Sequence, residues 1–214
     1  EIRSSDWSSD VCSSDLIEFV TVAAEFCAFL ERAESMKRST FVDTTLKILP
    51  LLYLKASMLP KCEMIGDESP ETYVTEEIYE VLRINLASIL AEKDDYLEVF
   101  LPDMAYSDEP IKKNISEDLA DIYQDIKDFI FVFQLGLNET MNDSLAICQE
   151  NFGLLWGQKL VNTMRALHDV KYSPKARGED EEEEEYEPEN NEDCHCEDDD
   201  CHCHDHGCHC HDDE

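Results

Sequence analysis

The feature that most constrains the fold of this chain is a helical hydrophobic period that runs from Ile17 to about Tyr172 and then stops. Over this stretch, apolar residues return every three or four positions, which places them on one face of an α-helix. No segment shows the strict alternation of a half-buried strand. The pattern predicts an all-α domain over residues 17–172, an antiparallel bundle of about five helices.

Local signals mark where these helices bend, begin and end. Pro50 interrupts the second helix, so we expect a kink or two abutting helices there. Asn114 and Glu117 resemble a capping box at the start of the fourth helix, and Gly136 can end it in the left-handed conformation. The segment FIFVF, residues 129–133, is apolar on every side of a helix, which predicts a central position. The predicted helices cover residues 17–33, 39–59, 72–92, 114–136 and 139–170, with a short amphipathic piece at 95–101.

A row of four aspartates lies beside the apolar stripe of the predicted fourth helix. Asp118, Asp121, Asp125 and Asp128 recur at spacings of three and four residues. Like charges at this spacing repel each other by about 0.2–0.5 kcal/mol per pair. Basic side chains of a neighbouring helix, a basic partner, or a cation such as Mg²⁺ or Ca²⁺ would offset that repulsion. We expect the simplest arrangement, which is a solvated acidic face.

Catalytic side chains are scarce in the predicted bundle. His168 is its only histidine, so the Glu-x-x-His pairs of di-iron bundles are absent and any nucleophile–base pair depends on this one residue. His168 lies near the end of the fifth helix, where the helix dipole favours a histidine for structural reasons. Cys27 and Cys148 fall on apolar helical positions and are expected to be small buried thiols. We therefore expect a non-enzymatic domain.

The first sixteen residues do not share the helical period. They repeat Ser-Ser-Asp from positions 4, 8 and 13. The stretch DVCSSDL, residues 10–16, reads like the translation of a common sequencing adaptor. We predict that residues 1–16 are an artefactual segment outside the fold.

Acidic side chains dominate the chain after the periodic region. Residues 173–214 carry 19 acidic and 2 basic side chains. Residues 173–193 contain almost nothing that could be buried, which predicts a disordered acidic linker. The final segment, residues 194–214, reads CHCEDDDCHCHDHGCHCHDDE and has a composition of its own.

That final segment is an array of metal ligands. Thiolate and imidazole are the usual ligands of Zn²⁺, and they also suit Ni²⁺, Co²⁺ and Cu⁺. The Cys-x-Cys spacing is tighter than the Cys-x-x-Cys of a zinc finger, and no apolar residue lies among the ligands. Metal would therefore order the tail only locally, and Zn²⁺ is the expected ion. The predicted ligands are Cys194, His195, Cys196, Cys201, His202, Cys203, His204, His206, Cys208, His209, Cys210 and His211.

The formal net charge of −34 limits the partners of the chain. It repels phosphates and anionic lipids, which argues against nucleic acid and membranes. The scattered cysteines outside the tail favour a reducing, cytoplasmic location. We predict a non-enzymatic cytoplasmic protein whose tail buffers, stores or delivers transition metal, with metal ions and a basic or metal-receiving protein as partners. The alternative is a protein–protein interaction module of unknown partner, to which the tail is accessory.

Several stretches of the predicted bundle are similar to one known family. They are IEFVTVAAEFCAFLE (residues 17–31), LPLLYLKASMLP (49–60), DLADIYQDIKDFI (118–130) and WGQKLVNTMRALHDV (156–170). Together they resemble a bacterial family known as domain of unknown function 5063, over roughly residues 17–172. The resemblance implies a compact all-helical domain, but no reaction and no site residue. The cysteine- and histidine-rich tail lies outside it.

Overall fold

The computed structural model describes residues 6–98, 111–136 and 138–173, and these fold as a helical bundle. The prediction of an all-α fold is confirmed. The last predicted helix is divided in two, and a π-helical turn at Phe152–Trp156 joins the halves without a break. The α-helices are α1 (Asp6–Glu31), α2 (Arg38–Met58), α3 (Glu76–Leu90), α4 (Ile115–Leu135), α5 (Asn138–Asn151) and α6 (Gly157–Tyr172), with 3₁₀ turns at Ala33–Ser35 and Ala91–Lys93.

Helix α4 is the centre of the bundle, since it packs against α1, α3, α5 and α6. Its predicted apolar stripe is buried except for the partly buried Phe133, and residues on its other sides are buried too. Phe129, Ile130 and Val132 are each less than 5% exposed. Phe131 packs against the ring of Tyr73, with the ring centroids 4.9 Å apart. The central position predicted for residues 129–133 is therefore confirmed.

Helix α1 begins at Asp6, inside the segment predicted to be artefactual. The backbone of residues 6–16 continues the helix that carries the core residues Phe19, Ala23 and Phe26. Leu16 packs partly against that core. The origin of residues 1–16 stays a prediction.

Helix α2 passes through Pro50 as one helix, so the expectation of two abutting helices is wrong. Proline cannot donate to the carbonyl of Leu46, four residues earlier. Pro50 itself lies on the exposed side of the helix. Its neighbours Leu49 and Leu52 are fully buried and hold the helix on the core.

A two-stranded antiparallel sheet lies beside α4, and the sequence did not predict it. Strand β1 (Asp95–Glu98) pairs with strand β2 (Ile111–Asn114), with Asp95 opposite Asn114. Residues 95–98 lie in the segment predicted only as a short amphipathic piece. Neither DYLE nor IKKN alternates apolar and polar residues, so the sequence signal of a strand is absent.

The start of α4 is capped from another part of the chain. The backbone N–H of Ser116 donates to Asp94 Oδ1 at 2.7 Å, and the Ser116 hydroxyl donates to Asp94 Oδ2 at 2.7 Å. The side chain of Asn114 makes no capping bond, and instead donates to Asp95 at 2.8 Å. The predicted capping box is therefore wrong, and Asp94 takes its place. The predicted C-terminus is confirmed, since Gly136 has φ +72° and its N–H donates to the carbonyl of Phe133.

The π-helical turn before α6 depends on Gly157. Its N–H donates to the carbonyl of Phe152, five residues earlier. A Cβ at this position would lie 2.3 Å from that carbonyl oxygen and 2.9 Å from the Phe152 ring. A Cβ at Gly153, in the same turn, would meet nothing within 4 Å. Only one of the two glycines is therefore required by the packing.

No helix in the described ranges is long and apolar enough to cross a membrane.

Replacing Asp94 with alanine tests the cap of α4. We expect a loss of about 1–2 kcal/mol in the free energy of unfolding, because two donors at the helix start lose their acceptor. Urea unfolding followed by circular dichroism measures the change. Asp95→Ala is the matched control: it removes an exposed neighbour and should cost less than about 0.5 kcal/mol. Equal effects of the two substitutions would contradict the capping role.

Alanine substitution at the two glycines of the π-helical turn tests the requirement for Gly157. We expect Gly157→Ala to lower the free energy of unfolding by roughly 1–3 kcal/mol, because the Phe152 carbonyl must move. Gly153→Ala should be neutral or slightly stabilising, since alanine favours helices. Thermal unfolding of both variants provides the comparison. A neutral Gly157→Ala variant would show that the turn relaxes to an ordinary helix without cost.

Candidate functional site

The predicted tail site and the described structure do not overlap. The ligands between Cys194 and His211 lie outside the described residues, so that site stays a prediction. Within the described ranges, no group of three or more histidine, cysteine, aspartate or glutamate side chains is placed to hold a metal ion. The candidate site that the structure does describe is built around the aspartates of α4.

The aspartate row of α4 is not a solvated face. Asp118 is only 4% exposed, and Asp121, Asp125 and Asp128 are half-buried. The expectation fails because α4 is central, so the side next to its apolar stripe also meets neighbouring elements. A buried carboxylate is costly unless it is hydrogen-bonded, and each of these four has a partner.

Tyrosines hold the first two carboxylates of the row. The Tyr96 hydroxyl, on β1, donates to Asp118 Oδ2 at 2.5 Å. The Tyr79 hydroxyl, on α3, donates to Asp121 Oδ1 at 2.8 Å. The Lys159 ammonium, on α6, forms an ion pair with the other oxygen of Asp121. A basic residue on a neighbouring helix, one of the alternatives considered from the sequence, is therefore present for Asp121.

The last two carboxylates of the row, Asp125 and Asp128, accept hydrogen bonds from α5 and from the loop before α3. The Asn151 amide, at the end of α5, donates to Asp125 Oδ1 at 2.5 Å. The backbone N–H groups of Tyr73 and Val74 donate to Asp128 Oδ1 at 2.7 and 2.8 Å. Asp128 thus fixes the loop that leads into α3. The aspartate row of α4 therefore makes polar contacts with β1, α3, α5, α6 and the loop before α3.

A cavity of about 460 Å³ opens beside this face. It lies among α4, α5, the π-helical turn, the start of α6 and residues 69–72. Its apolar lining includes Phe129, Cys148 and Trp156, and Trp156 is only 1% exposed. Its charged lining consists of Glu71, Asp121, Asp125, Asp128 and Lys159. We call this space the aspartate cavity.

Burial shifts the acidity of three aspartates in the row. It raises the pKa of Asp118 from 3.8 to about 6, and the hydrogen bond from Tyr96 partly opposes the rise. Burial also raises the pKa of Asp125, against the bond from Asn151, and Asp128 and Asp121 add to the rise. The pKa of Asp128 is raised by burial too, while its two backbone donors oppose the shift. These carboxylates lie where desolvation outweighs hydrogen bonding.

Two cysteines of the bundle are fully buried. Cys27 and Cys148 are free thiols, 2% and 3% exposed, which confirms the prediction of small buried thiols. Burial raises the pKa of Cys27 to about 12 and raises that of Cys148 as well. Cys62 is half-buried, and its thiol donates to Asn142 Oδ1 at 2.9 Å. The buried thiols of Cys27 and Cys148 are therefore poor nucleophiles and poor metal ligands.

His168 lies on an exposed surface near the end of α6. Its ring packs against Tyr172 with a centroid distance of 4.6 Å. Both rings border an open groove of about 660 Å³ between α2 and α6, together with Pro50 and Tyr53. The groove is lined mainly by aliphatic and aromatic side chains and is separate from the aspartate cavity.

The fold and the cavity define a single-domain helical protein with an acidic central helix and no recognisable catalytic pair among the described residues. The chain belongs to the family described as domain of unknown function (DUF5063), whose model matches residues 10–173. The resemblance seen in the sequence is thereby confirmed. The match begins inside the segment predicted to be artefactual, ends at the first residue of the acidic linker, and does not include the tail.

A solved structure supports the same assignment. The crystal structure of protein BF1032 from Bacteroides fragilis, a structural genomics target, is 91% identical and has a TM-score of 0.69. The similarity covers 76% of this chain and 96% of that chain. Among curated proteins, none matches the chain.

The raised pKa of Asp118 predicts how the stability of the domain depends on pH. The folded chain holds this proton more tightly than the unfolded chain, so ionisation between pH 4 and 6 lowers the free energy of unfolding. Asp118→Asn removes the charge and keeps an acceptor for Tyr96. We expect its stability relative to the parent chain to increase by about 1 kcal/mol between pH 5 and pH 7.5.

Urea unfolding at a series of pH values measures this difference. Glu117→Gln is the matched control, because it removes an exposed charge from the adjacent position. Its stability relative to the parent chain should change little over the same pH range. A flat difference for Asp118→Asn as well would show that Asp118 ionises in the folded chain as freely as in water.

Proposed function

We propose that this is a non-enzymatic helical protein whose C-terminal tail binds transition metal, for buffering, storage or delivery. The observation that carries the proposal is the placing of six cysteines and six histidines within Cys194–His211. Zn²⁺ is the first candidate, and Ni²⁺, Co²⁺ and Cu⁺ suit the same donors. The partners would be metal ions and a basic or metal-receiving protein.

The chemistry of the tail supports this proposal. In an extended chain, the two thiols of each Cys-x-Cys pair point to the same side. Aspartates between the pairs raise the local concentration of cations and tend to raise the pKa values of the thiols. Metal must then displace protons to bind, so the affinity should rise with pH.

The bundle is a favourable background for measuring metal on the tail. Its thiols at Cys27 and Cys148 are buried, and that of Cys62 is half-buried and hydrogen-bonded. Helix α6 ends at Tyr172, and the N–H of Ser173 closes it on the carbonyl of Asp169. Removal of residues 178–214 leaves these contacts and the family match in place, which makes the truncated chain a suitable reference.

We expect the reduced full-length chain to bind Zn²⁺, Ni²⁺ and Cu⁺, up to about three ions per chain if each is four-coordinate. The chain without residues 178–214 should bind far less. Titration with each metal, followed by mass spectrometry under non-denaturing conditions, measures the stoichiometry. Equal metal content in the full-length and truncated chains would contradict the proposal.

A charge-preserving variant separates thiolate chemistry from simple attraction to acidic residues. Replacing the six tail cysteines with serine keeps every aspartate and histidine. We expect this variant to lose Cu⁺ and most Zn²⁺ while still attracting weakly held cations. Retention of tight metal binding by the serine variant would point to carboxylate and imidazole ligands.

The interaction-module alternative is favoured by one observation in the bundle. Leu51, Leu54 and Met58 lie on one side of α2 and are 49%, 49% and 46% exposed. An apolar helical face of this kind is a common site of protein contact. If cells that produce only the truncated chain tolerate metal excess and metal starvation normally, the alternative becomes the better account.

A further inference from the structure

We propose that the aspartate cavity binds a small organic cation, an aliphatic ammonium or guanidinium compound. This inference is independent of the tail, since every residue that carries it lies in the bundle. It rests on the size of the cavity, its charge, its apolar lining and a serine hydroxyl in its wall that makes no hydrogen bond to the described residues.

The size and lining of the cavity suit a small organic molecule. A volume of about 460 Å³ lies within the range of known small-molecule sites. Such sites combine apolar walls with a few placed polar groups. Phe129 and Trp156 supply aromatic surface, and Trp156 is fixed because its indole N–H donates to the carbonyl of Cys148 at 3.0 Å.

The charge of the cavity selects a cation. Its lining contains four carboxylates and a single ammonium group, that of Lys159, which is already paired with Asp121. Asp125 and Asp128 each use only Oδ1 for the hydrogen bonds described above. Their Oδ2 atoms have no hydrogen-bond partner among the described residues. A ligand ammonium or guanidinium group would supply the missing donors.

Ser144 provides a second, independent sign that a ligand belongs here. Its side chain lines the cavity and the residue is only 7% exposed. Its hydroxyl makes no hydrogen bond within the part of the chain that the structure describes. The hydroxyl is therefore free to pair with a ligand in the cavity. The hydroxyl can accept from a ligand N–H, as the carboxylates do.

An organic cation fits these groups better than a bare metal ion. Among the described residues, no set of acidic, histidine or cysteine side chains has the arrangement of a metal site. The aromatic and aliphatic lining would instead contact the carbon chain of an organic ligand. A cationic group near the ring of Trp156 also gains a cation–π attraction.

The test uses the full chain and three probes with the same four-carbon spacer. The probes are 1,4-diaminobutane, agmatine, which carries one ammonium and one guanidinium group, and the neutral 1,4-butanediol. Amide chemical shifts in ¹H–¹⁵N spectra are followed at constant ionic strength. We expect saturable shifts at the amides of Ser144, Cys148 and Asn151 with at least one cation, and none with the diol.

Two cavity variants and one control assign the binding. Asp125→Asn removes one charge from the lining and keeps an acceptor for Asn151, so we expect its Kd to rise at least tenfold. Ser144→Ala should raise the Kd about threefold, and its spectrum shows independently that the fold is kept. Glu34→Gln removes one charge from an exposed residue outside the cavity and should leave the Kd unchanged.

Several results would overturn the proposal. Shifts confined to the acidic tail, or the same Kd in Asp125→Asn and Glu34→Gln, would mean non-specific attraction to a chain with a net charge of −34. Binding of the diol as tight as that of the amines would mean a site for neutral ligands. Absence of saturable shifts at the cavity amides with both cations would mean that the cavity does not bind this class of compound.

Discussion

The full or partial burial of four carboxylates on the central helix is the constraint on which the rest of the bundle depends. A buried, unpaired carboxylate would cost several kcal/mol, so each must find a donor on a neighbouring element. Tyr96 on β1, Tyr79 on α3 and Asn151 on α5 supply three of these donors. Asp128 receives two more from the backbone of the loop before α3. Helix α4 therefore sets the positions of its neighbours through polar contacts as well as apolar packing.

Sequence patterns predicted the parts of the fold that are decided locally. The helical period identified the apolar stripe of α4, and Gly136 marked its end, because both depend on residues within one or two turns. The role of the aspartate row was missed because its donors are far away in sequence. Tyr79 is 42 residues from Asp121, and Asn151 is 26 residues from Asp125. No local pattern shows that such residues meet, although tyrosines at partly apolar helical positions hint at buried hydroxyl groups that need acceptors.

Two predictions made from local sequence patterns were wrong because contacts with other residues decide the backbone structure at those places. Asn114 and Glu117 have the spacing of a capping box, yet Asp94, which follows the 3₁₀ turn Ala91–Lys93, reaches the helix start and accepts both Ser116 donors. The pairing of β1 with β2 brings Asp94 to that place, since the N–H of Ile115 also donates to its carbonyl. The long final helix likewise reads as uninterrupted, and its π-helical turn becomes visible only when Gly157 is seen against the Phe152 carbonyl. Contacts of this kind decide which residue caps a helix and where a helix changes its hydrogen-bonding pattern, and the local sequence alone does not show either.

A net charge of −34 attracts any cation, so selectivity in this protein must come from other properties. In the tail, selectivity would come from ligand softness, because thiolate and imidazole favour transition metals over Mg²⁺ or Ca²⁺. In the aspartate cavity it would come from shape and apolar contact, since Phe129 and Trp156 line the cavity together with the carboxylates. A hydrated metal ion gains little from such walls, whereas the carbon chain of an organic cation gains contact with them. The negative charge of the chain would therefore attract cations to both sites, and each site would still bind a different class of cation.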